Sequence, residues 1–321
     1  MASVADFKRE WFNALPYIEA HTSGSTGEPK LIRLPKKDML ASARATNAFF
    51  GISASSVLAL PLSPDYIAGK MMVVRAIAAG CSLIEMPVSN TITITGHVDL
   101  LAIVPSQLPG LLRDTRIADK VSAVIIGGAP LSPAALLSIA DSRLVAYASY
   151  GMTETCSHVA LARIDSSGAL RYHAMPGISF DIDSRGCLII NAPMFSFKRL
   201  ITNDLVADLS DDHLSFVWQG RYDHVINSGG LKISPEALER AISRALPRLQ
   251  FYITGAPDAK WGQSVALVFE GSADDVNGIK SVIESIVSDR RTLPRQYLAV
   301  THLPRTANGK LLRLSPPQIG K

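Results

Sequence analysis

Val121-Ser122-Ala123-Val124-Ile125-Ile126-Gly127-Gly128-Ala129-Pro130-Leu131-Ser132-Pro133 decides the fold class. β-Branched residues crowd positions 121–126, the composition of a buried strand, and the run ends abruptly in two glycines. Ser132 then supplies an N-cap and Pro133 a first-turn proline, so a helix starts there. A strand that passes through a glycine turn into a capped helix is the repeating unit of α/β architecture. The flanking sequence repeats it. Residues 57–62 read as a buried strand, Ser63-Pro64-Asp65 as a loop, and Ile67, Met71, Val74 and Ala78 lie at helical spacing up to a stop at Gly80. Residues 82–86, 100–104 and 144–148 are further strands, the second closed by Pro105 and the third running to Tyr150-Gly151.

Beyond about residue 175 the pattern changes to short strands separated by Gly, Asn and Asp turns. Ser234-Pro235-Glu236 starts a helix whose inner face carries Leu238, Ala241, Ile242 and Ala245. Strands at 251–254 and 265–269 and a helix at 276–287 complete a compact α+β unit. A chain of 321 residues is long for one undivided core, and we place the division at Asp223, giving domains 1–222 and 223–321.

Hydrophobic residues make up 47% and charged residues 19%, the profile of a globular interior and not of a disordered chain. The net charge of +4 is scattered, which argues against nucleic acid and suits small anions. Cys81, Cys156 and Cys187 are odd in number and lack CxxC spacing, so neither a disulfide framework nor a cysteine zinc site is expected. Charges interrupt the apolar stretches near the N-terminus, and no run of about 18 apolar residues occurs. The expectation is a cytoplasmic protein without a membrane span.

His21-Thr22-Ser23-Gly24-Ser25-Thr26-Gly27-Glu28-Pro29-Lys30 is the first stretch with chemical content. Small hydroxyl residues and glycines let a loop close on phosphate oxygens through N–H and O–H donors, and Lys30 adds a mobile positive charge. The composition also suits a plain Ser/Gly turn, and the absence of Gly-Lys-Ser/Thr excludes a Walker A loop. Order is more informative. Tyr150-Gly151-Met152-Thr153-Glu154-Thr155, Thr202-Asn203-Asp204, Gly220-Arg221-Tyr222-Asp223, Ser228-Gly229-Gly230-Leu231-Lys232 and Pro304-Arg305-Thr306-Ala307-Asn308-Gly309-Lys310 follow in sequence. Together they resemble the adenylate-forming superfamily of acyl-CoA synthetases, peptide-synthetase adenylation domains and luciferases.

That resemblance implies a large α/β domain and a small mobile α+β domain carrying the adenylation lysine. It implies ATP, Mg²⁺ and coenzyme A as the reagents and a small carboxylic acid as substrate, and leaves room for a homodimer. Carried over by residue, Thr22, Ser23, Gly24, Ser25, Thr26, Gly27 and Lys30 hold phosphate. Thr153 contacts phosphate, and Glu154 ligates Mg²⁺. Tyr150 and the Gly128-Ala129-Pro130 backbone flank adenine, with Gly151 and Met152 beside them. Asp204 accepts from the ribose hydroxyls, and Arg221 helps hold that sugar. Lys310 bridges the carboxylate and the α-phosphate. Gly229, Gly230 and Lys232 border the pantetheine path, and Asp223 is the hinge about which the small domain turns.

Within the superfamily, Ile103-Val104-Pro105-Ser106-Gln107-Leu108, Gly151 to Ser157, and Leu60-Pro61-Leu62 with Ala68-Gly69 and Arg75 resemble the 2-succinylbenzoate–CoA ligases of menaquinone biosynthesis. Such a substrate has a second, non-reacting carboxylate, for which Lys70, Arg75 and His158 are the candidates, while Ser106 and Gln107 would line its ring. Lys70 and Arg75 also suit the exposed face of an amphipathic helix, and His158 a structural histidine. Cys156 reads as a small packing residue.

Three features depart from the pattern. The phosphate loop begins at Thr22, where typical members have a preceding subdomain, so that subdomain is expected to be missing or reduced. Pro64-Asp65-Tyr66 replaces an aromatic-His element, and Asn203 replaces a glycine. A ligase for another aryl or short acid, a domain loading a separate carrier protein, and a silent nucleotide-binding protein remain alternatives.

Overall fold

The computed structural model describes residues 2–21, 30–305 and 311–318. Helix α1 (Val4–Trp11) is closed by a capping box between Ser3 and Asp6. A ribbon of β1 (Tyr17–His21) and β2 (Leu31–Pro35) leads into α2 (Lys36–Phe50), which ends on the left-handed Gly51. Strand β3 (Val57–Leu60) feeds α3 (Ile67–Ala79), and Gly80 ends that helix as its position in the sequence suggested. Next come β4 (Ser82–Glu85), β5 (Val98–Ile103), the single turns α4 (Leu108–Leu111) and α5 (Ile117–Lys120), then β6 (Val121–Ile126), α6 (Pro133–Asp141) and β7 (Ala146–Gly151). The Ser132 hydroxyl accepts from the Ala135 N–H, the N-cap read from sequence, worth about 1 kcal/mol.

β8 (His158–Arg163), β9 (Arg171–Ala174), β10 (Ser179–Ile182), β11 (Cys187–Ala192), β12 (Lys198–Ala207) and β13 (Ser215–Arg221) extend the same sheet. Its order is β10-β11-β12-β13-β9-β8-β7-β6-β5-β3-β4, parallel from β4 to β7 and antiparallel beyond. Alternation explains its two cores. Leu58, Leu60, Leu100, Ala102, Ala123 and Ile125 face the core shared with α1, α2 and α3. Ala59, Leu101, Ile103, Val124 and Ile126 face the opposite core, with Leu136 and Ile139 of α6. Because strands β3, β5, β6 and β7 run parallel, the loops leaving their C-terminal ends share one edge, where open α/β sheets place ligands.

Helix α3 is not amphipathic. Gly69 through Ala76 are all buried, Lys70 and Arg75 included, because α2 covers the side that would otherwise meet water. Tyr222–His224 forms one tight turn, after which the chain builds a second sheet of β14 (Ile226–Ser228), β15 (Leu231–Ile233), β16 (Phe251–Asp258), β17 (Gly262–Glu270) and β18 (Gln296–Val300). Helices α7 (Pro235–Ala245) and α8 (Val276–Ile286) cover it through Leu238, Ile242, Ile279 and Ile283. Arg240 of α7 donates to the Gln219 carbonyl and side chain, joining the second unit to β13.

The last described stretch is stitched to this unit. Arg313 pairs with Glu239 of α7, its Nη2 at 2.6 Å from Oε2, and donates to the Ile253 carbonyl at 2.9 Å. The Tyr252 hydroxyl donates to the Leu314 carbonyl at 3.0 Å. Arg313→Met would leave the Glu239 carboxylate buried without its partner. We expect it to lower unfolding stability by about 3–5 kcal/mol, measured by urea denaturation followed at Trp261.

Candidate active site

The turn between β7 and β8 organises the shared edge. A Cβ at Gly151 would lie 2.3 Å from the Ser157 carbonyl oxygen and 2.5 Å from the His158 Cα, so the strand end can close on this turn only with glycine. Thr155 is fully buried and locks the turn, accepting from the Met152 N–H at 3.0 Å and donating to the Ser157 carbonyl at 2.6 Å. Thr153 is buried, Glu154 is exposed, and Cys156 takes a left-handed φ of 62°. Burial, then the Asp38 charge, pushes the Cys156 thiol up to about 12, so it packs as an un-ionised group.

On one side of this turn lies a polar cluster. The Tyr150 hydroxyl donates to Asp204 Oδ2 at 2.8 Å, and Trp218 Nε1 donates to Oδ1 at 3.2 Å. Thr202 accepts from the Asp204 N–H at 3.0 Å. Arg221, register partner of Asp204 across β12 and β13, approaches to 3.8 Å and is clamped by Asp223 through bonds of 2.9 and 2.8 Å. The Asp204 carboxylate has about four lone-pair positions, and Tyr150 and Trp218 use two. One acceptor position per oxygen remains for a diol. Burial, then the Asp204 charge, drives the Tyr150 phenol well above its usual range, so it stays a donor. Tyr172 and Phe216 wall the Tyr150 ring at centroid distances of 5.8 and 5.1 Å. Trp218, Tyr172 and Phe216 were not anticipated, since on short alternating strands an aromatic residue reads equally as core.

On the other side lies a buried cation. Arg75 is 2% exposed; Nη2 donates to Ser157 Oγ at 2.6 Å, Nη1 meets Met72 Sδ at 3.4 Å, and among the described residues it faces no carboxylate and its Nε has no partner. Burial pulls its guanidinium down to about 10, still charged at neutral pH. His158 is buried beside it and held neutral, well below its usual range, by burial and then by the Arg75 charge. Thr46 and Asn47 of α2 complete this corner; Thr46 lies 3.2 Å from His158 Nε2, and Asn47 donates to the Arg75 carbonyl at 2.9 Å. α2 carried no recognised motif, so these two were not foreseen.

The remaining candidates scatter. Lys70 points the other way, to Glu10 Oε2 at 3.5 Å and the face of Phe7 at 4.8 Å. Gln107 is consumed by structure, accepting from the Val104 N–H and donating to the Pro61 and Ser89 carbonyls. Ser106 is exposed beside it. Gly128, at φ 88°, with Ala129 and Pro130 forms the loop leaving β6, and Lys30 directly precedes β2. Gly229 and Gly230 make the β14–β15 turn, with Lys232 exposed on β15. Gly229 packs so closely on the Trp261 ring that a Cβ would sit 2.4 Å from it. Thr22, Ser23, Gly24, Ser25, Thr26, Gly27 and Lys310 lie outside the described residues.

Among the described residues no group of three or more His, Cys, Asp or Glu could hold a metal. Mg²⁺ keeps most of its ligands as water and substrate phosphate, so the lone exposed Glu154 suits an ion that arrives with the nucleotide, where it would neutralise phosphate charge. No helix among the described residues is long and apolar enough to cross a membrane. All three cysteines are free.

Residues 16–182 match the AMP-binding enzyme family. The 2-succinylbenzoate–CoA ligase of Listeria innocua is 26% identical over 96% of this chain and 71% of its own length. A probable 2-succinylbenzoate–CoA ligase of Mycobacterium tuberculosis is 27% identical over 91% of this chain and 81% of its own. Among solved structures, an acyl-CoA synthetase (AMP-forming)/AMP-acid ligase II-like protein of Dyadobacter fermentans is 32% identical, with TM-score 0.62, over 96% of this chain and 91% of that one. The o-succinylbenzoate CoA synthetase of Bacillus subtilis, in complex with its acyl-adenylate intermediate, shares the fold at TM-score 0.78 and 21% identity, over 94% of this chain and 68% of that one.

The family match and the curated relatives, on this fold, make the chain an adenylate-forming acid–CoA ligase, a class that works with ATP, Mg²⁺ and CoA. The chain belongs to the AMP-binding enzyme family.

Tyr150→Phe removes a buried donor from Asp204 and leaves the carboxylate under-bonded. We expect weaker ATP binding by roughly ten- to a hundredfold, from a loss of about 1.5–3 kcal/mol, measured by calorimetry with ATP and Mg²⁺.

Proposed function

We propose that this chain adenylates 2-succinylbenzoate, releases pyrophosphate, and passes the acyl group to CoA in menaquinone biosynthesis. The observation that carries the substrate reading is Arg75, a buried cation with no carboxylate partner among the described residues. Burying an unpaired charge costs several kcal/mol, and a second carboxylate on the acid is the counter-ion that would offset it. The names of the curated relatives support the same substrate.

In the first half-reaction Asp204, held by Tyr150 and Trp218, accepts from the ribose diol, and Arg221 steadies that edge. Thr22 to Gly27 and Lys30 hold phosphate together with Thr153, and Glu154 faces the ion that accompanies the nucleotide. Arg75 holds the non-reacting carboxylate, which aims the other toward the α-phosphate. Lys310 offsets the charge that develops as that carboxylate attacks. In the second, domain 223–321 turns about Asp223 and brings the Gly229-Gly230 turn, backed by Trp261, to the adenylate. Glycines there leave room for pantetheine beside the backbone. The CoA thiol is the nucleophile, so no cysteine of the chain is required. Free, un-ionised thiols fit a reducing cytosol.

The test mixes protein, ATP, Mg²⁺, CoA and 2-succinylbenzoate, follows pyrophosphate, and identifies the thioester by mass, with benzoate and short fatty acids in parallel. Turnover confined to 2-succinylbenzoate is the expected result. Turnover with other acids alone would discard the substrate; no pyrophosphate with any acid despite ATP binding would leave a silent nucleotide-binding protein. Arg75→Met should raise KM for 2-succinylbenzoate by roughly ten- to a hundredfold, corresponding to about 1.5–3 kcal/mol. Lys310→Ala should abolish adenylate formation and spare thioester formation from preformed adenylate; equal loss of both halves would refute the domain rotation.

A further inference from the structure

The hydrogen bonds around Arg75 have a direction that the residue list alone does not reveal. The Thr46 hydroxyl has one proton and donates it to the Ser42 carbonyl at 3.0 Å. With that donation made, the contact of 3.2 Å with His158 Nε2 is assigned to the imidazole as donor, which places the ring proton on Nε2. A neutral ring protonated at Nε2 leaves Nδ1 as an acceptor. Ser157 Oγ lies 3.4 Å from Nδ1 and accepts from Arg75 Nη2 at 2.6 Å, so the serine proton points at the histidine. The chain reads Arg75 to Ser157 to His158 to Thr46 to Ser42, every donor assigned. Ser157 is the one member whose proton can turn to another acceptor without leaving its place.

We propose that His158 is a specificity-determining residue for the acid: a carboxylate arriving at Arg75 takes the Ser157 hydroxyl proton as a hydrogen bond, and Nδ1 of His158 then takes up a proton from solvent. This rests on the reading of Arg75 as the site of the non-reacting carboxylate. The balance is simple. The hydroxyl rotates without ionising, and one proton enters from solvent at Nδ1. A monocarboxylic acid leaves Ser157 on His158 and calls for no proton.

The charges around the ring agree with this arrangement. Burial first, and then the Arg75 charge on α3, hold the His158 ring neutral in the acid-free state. On α2, Asp38 is occupied by the Ser196 N–H and hydroxyl, and Arg44 is exposed. Lys70 on α3 is drawn away to Glu10. On the neighbouring strands Tyr150 is spent on Asp204, and Arg163 and His173 are exposed. A carboxylate at Arg75 cancels the one repulsive charge and so raises the bound-state affinity of His158 for a proton. The sign follows: affinity for the dicarboxylate is full at low pH and falls as pH rises through the bound-state pKa, by at most about tenfold per unit.

The test is calorimetric titration of the full chain with the sulfamoyladenosine analogue of the 2-succinylbenzoyl adenylate, and with the benzoyl analogue lacking the second carboxylate. Each is run in two buffers of different ionisation enthalpy between pH 6 and 8. Net proton uptake with the first analogue and none with the second is expected, and His158→Gln should remove both the uptake and the pH slope. His158→Asn, a second neutral amide, should do the same, and retained binding of the benzoyl analogue by either variant shows that it is folded. Tight binding of the first analogue without proton uptake, equal uptake with both, or uptake that persists in either variant would overturn the proposal while leaving the substrate reading standing. Failure of the first analogue to bind while the benzoyl analogue binds would overturn the substrate reading and this inference with it.

Discussion

The close contact of Gly151 with the Ser157 carbonyl and the His158 Cα is the constraint on which the rest depends. It lets a parallel strand, β7, turn back at once into an antiparallel one, β8, at the point where the two halves of the large sheet meet. Any side chain at 151 would push the turn outward by more than an ångström of overlap. Tyr150 would then leave Asp204, and His158 would leave Arg75. The nucleotide cluster and the buried cation therefore share one backbone contact, although no side chain links them directly.

Buried charge is handled in two contrasting ways. Arg313 lies against Glu239 and a backbone carbonyl, so its burial is compensated within the chain and its work is structural. Arg75 is more deeply buried, yet meets a serine, a thioether and nothing at Nε. A fold has no reason to leave a guanidinium in that state for stability alone, because an apolar residue of similar size would serve as well or better. The difference between these two arginines is the observation on which the proposed role of Arg75 rests.

Neutral, directional partners surround the buried charges of Asp204 and Arg75. Tyr150 stays protonated against Asp204, and His158 stays neutral beside Arg75, in both cases because burial disfavours a second charge. Asp204 keeps acceptor positions beyond those used by Tyr150 and Trp218, and among the described residues Arg75 Nε has no partner.

Sequence alone determined what local rules govern. The strands and helices from Val57 to Gly151, the Ser132 cap, the Gly80 stop and the helix opened by Ser234-Pro235 follow from periodicity and capping, which neighbouring residues decide. The order of the short motifs was likewise enough to suggest the superfamily. Tertiary structure decided what depends on distant segments. Lys70 and Arg75 sit on one helix, five residues apart, and only the packing of α1 and α2 sends the first to Glu10 and leaves the second unpaired. Gln107 looked like a pocket residue until Pro61 and Ser89, from segments distant in sequence, were in place to accept its amide protons. Thr46 carries no motif, yet it sets the tautomer of a histidine 112 positions away, because hydrogen-bond direction is a property of the assembled network and not of any one residue in it.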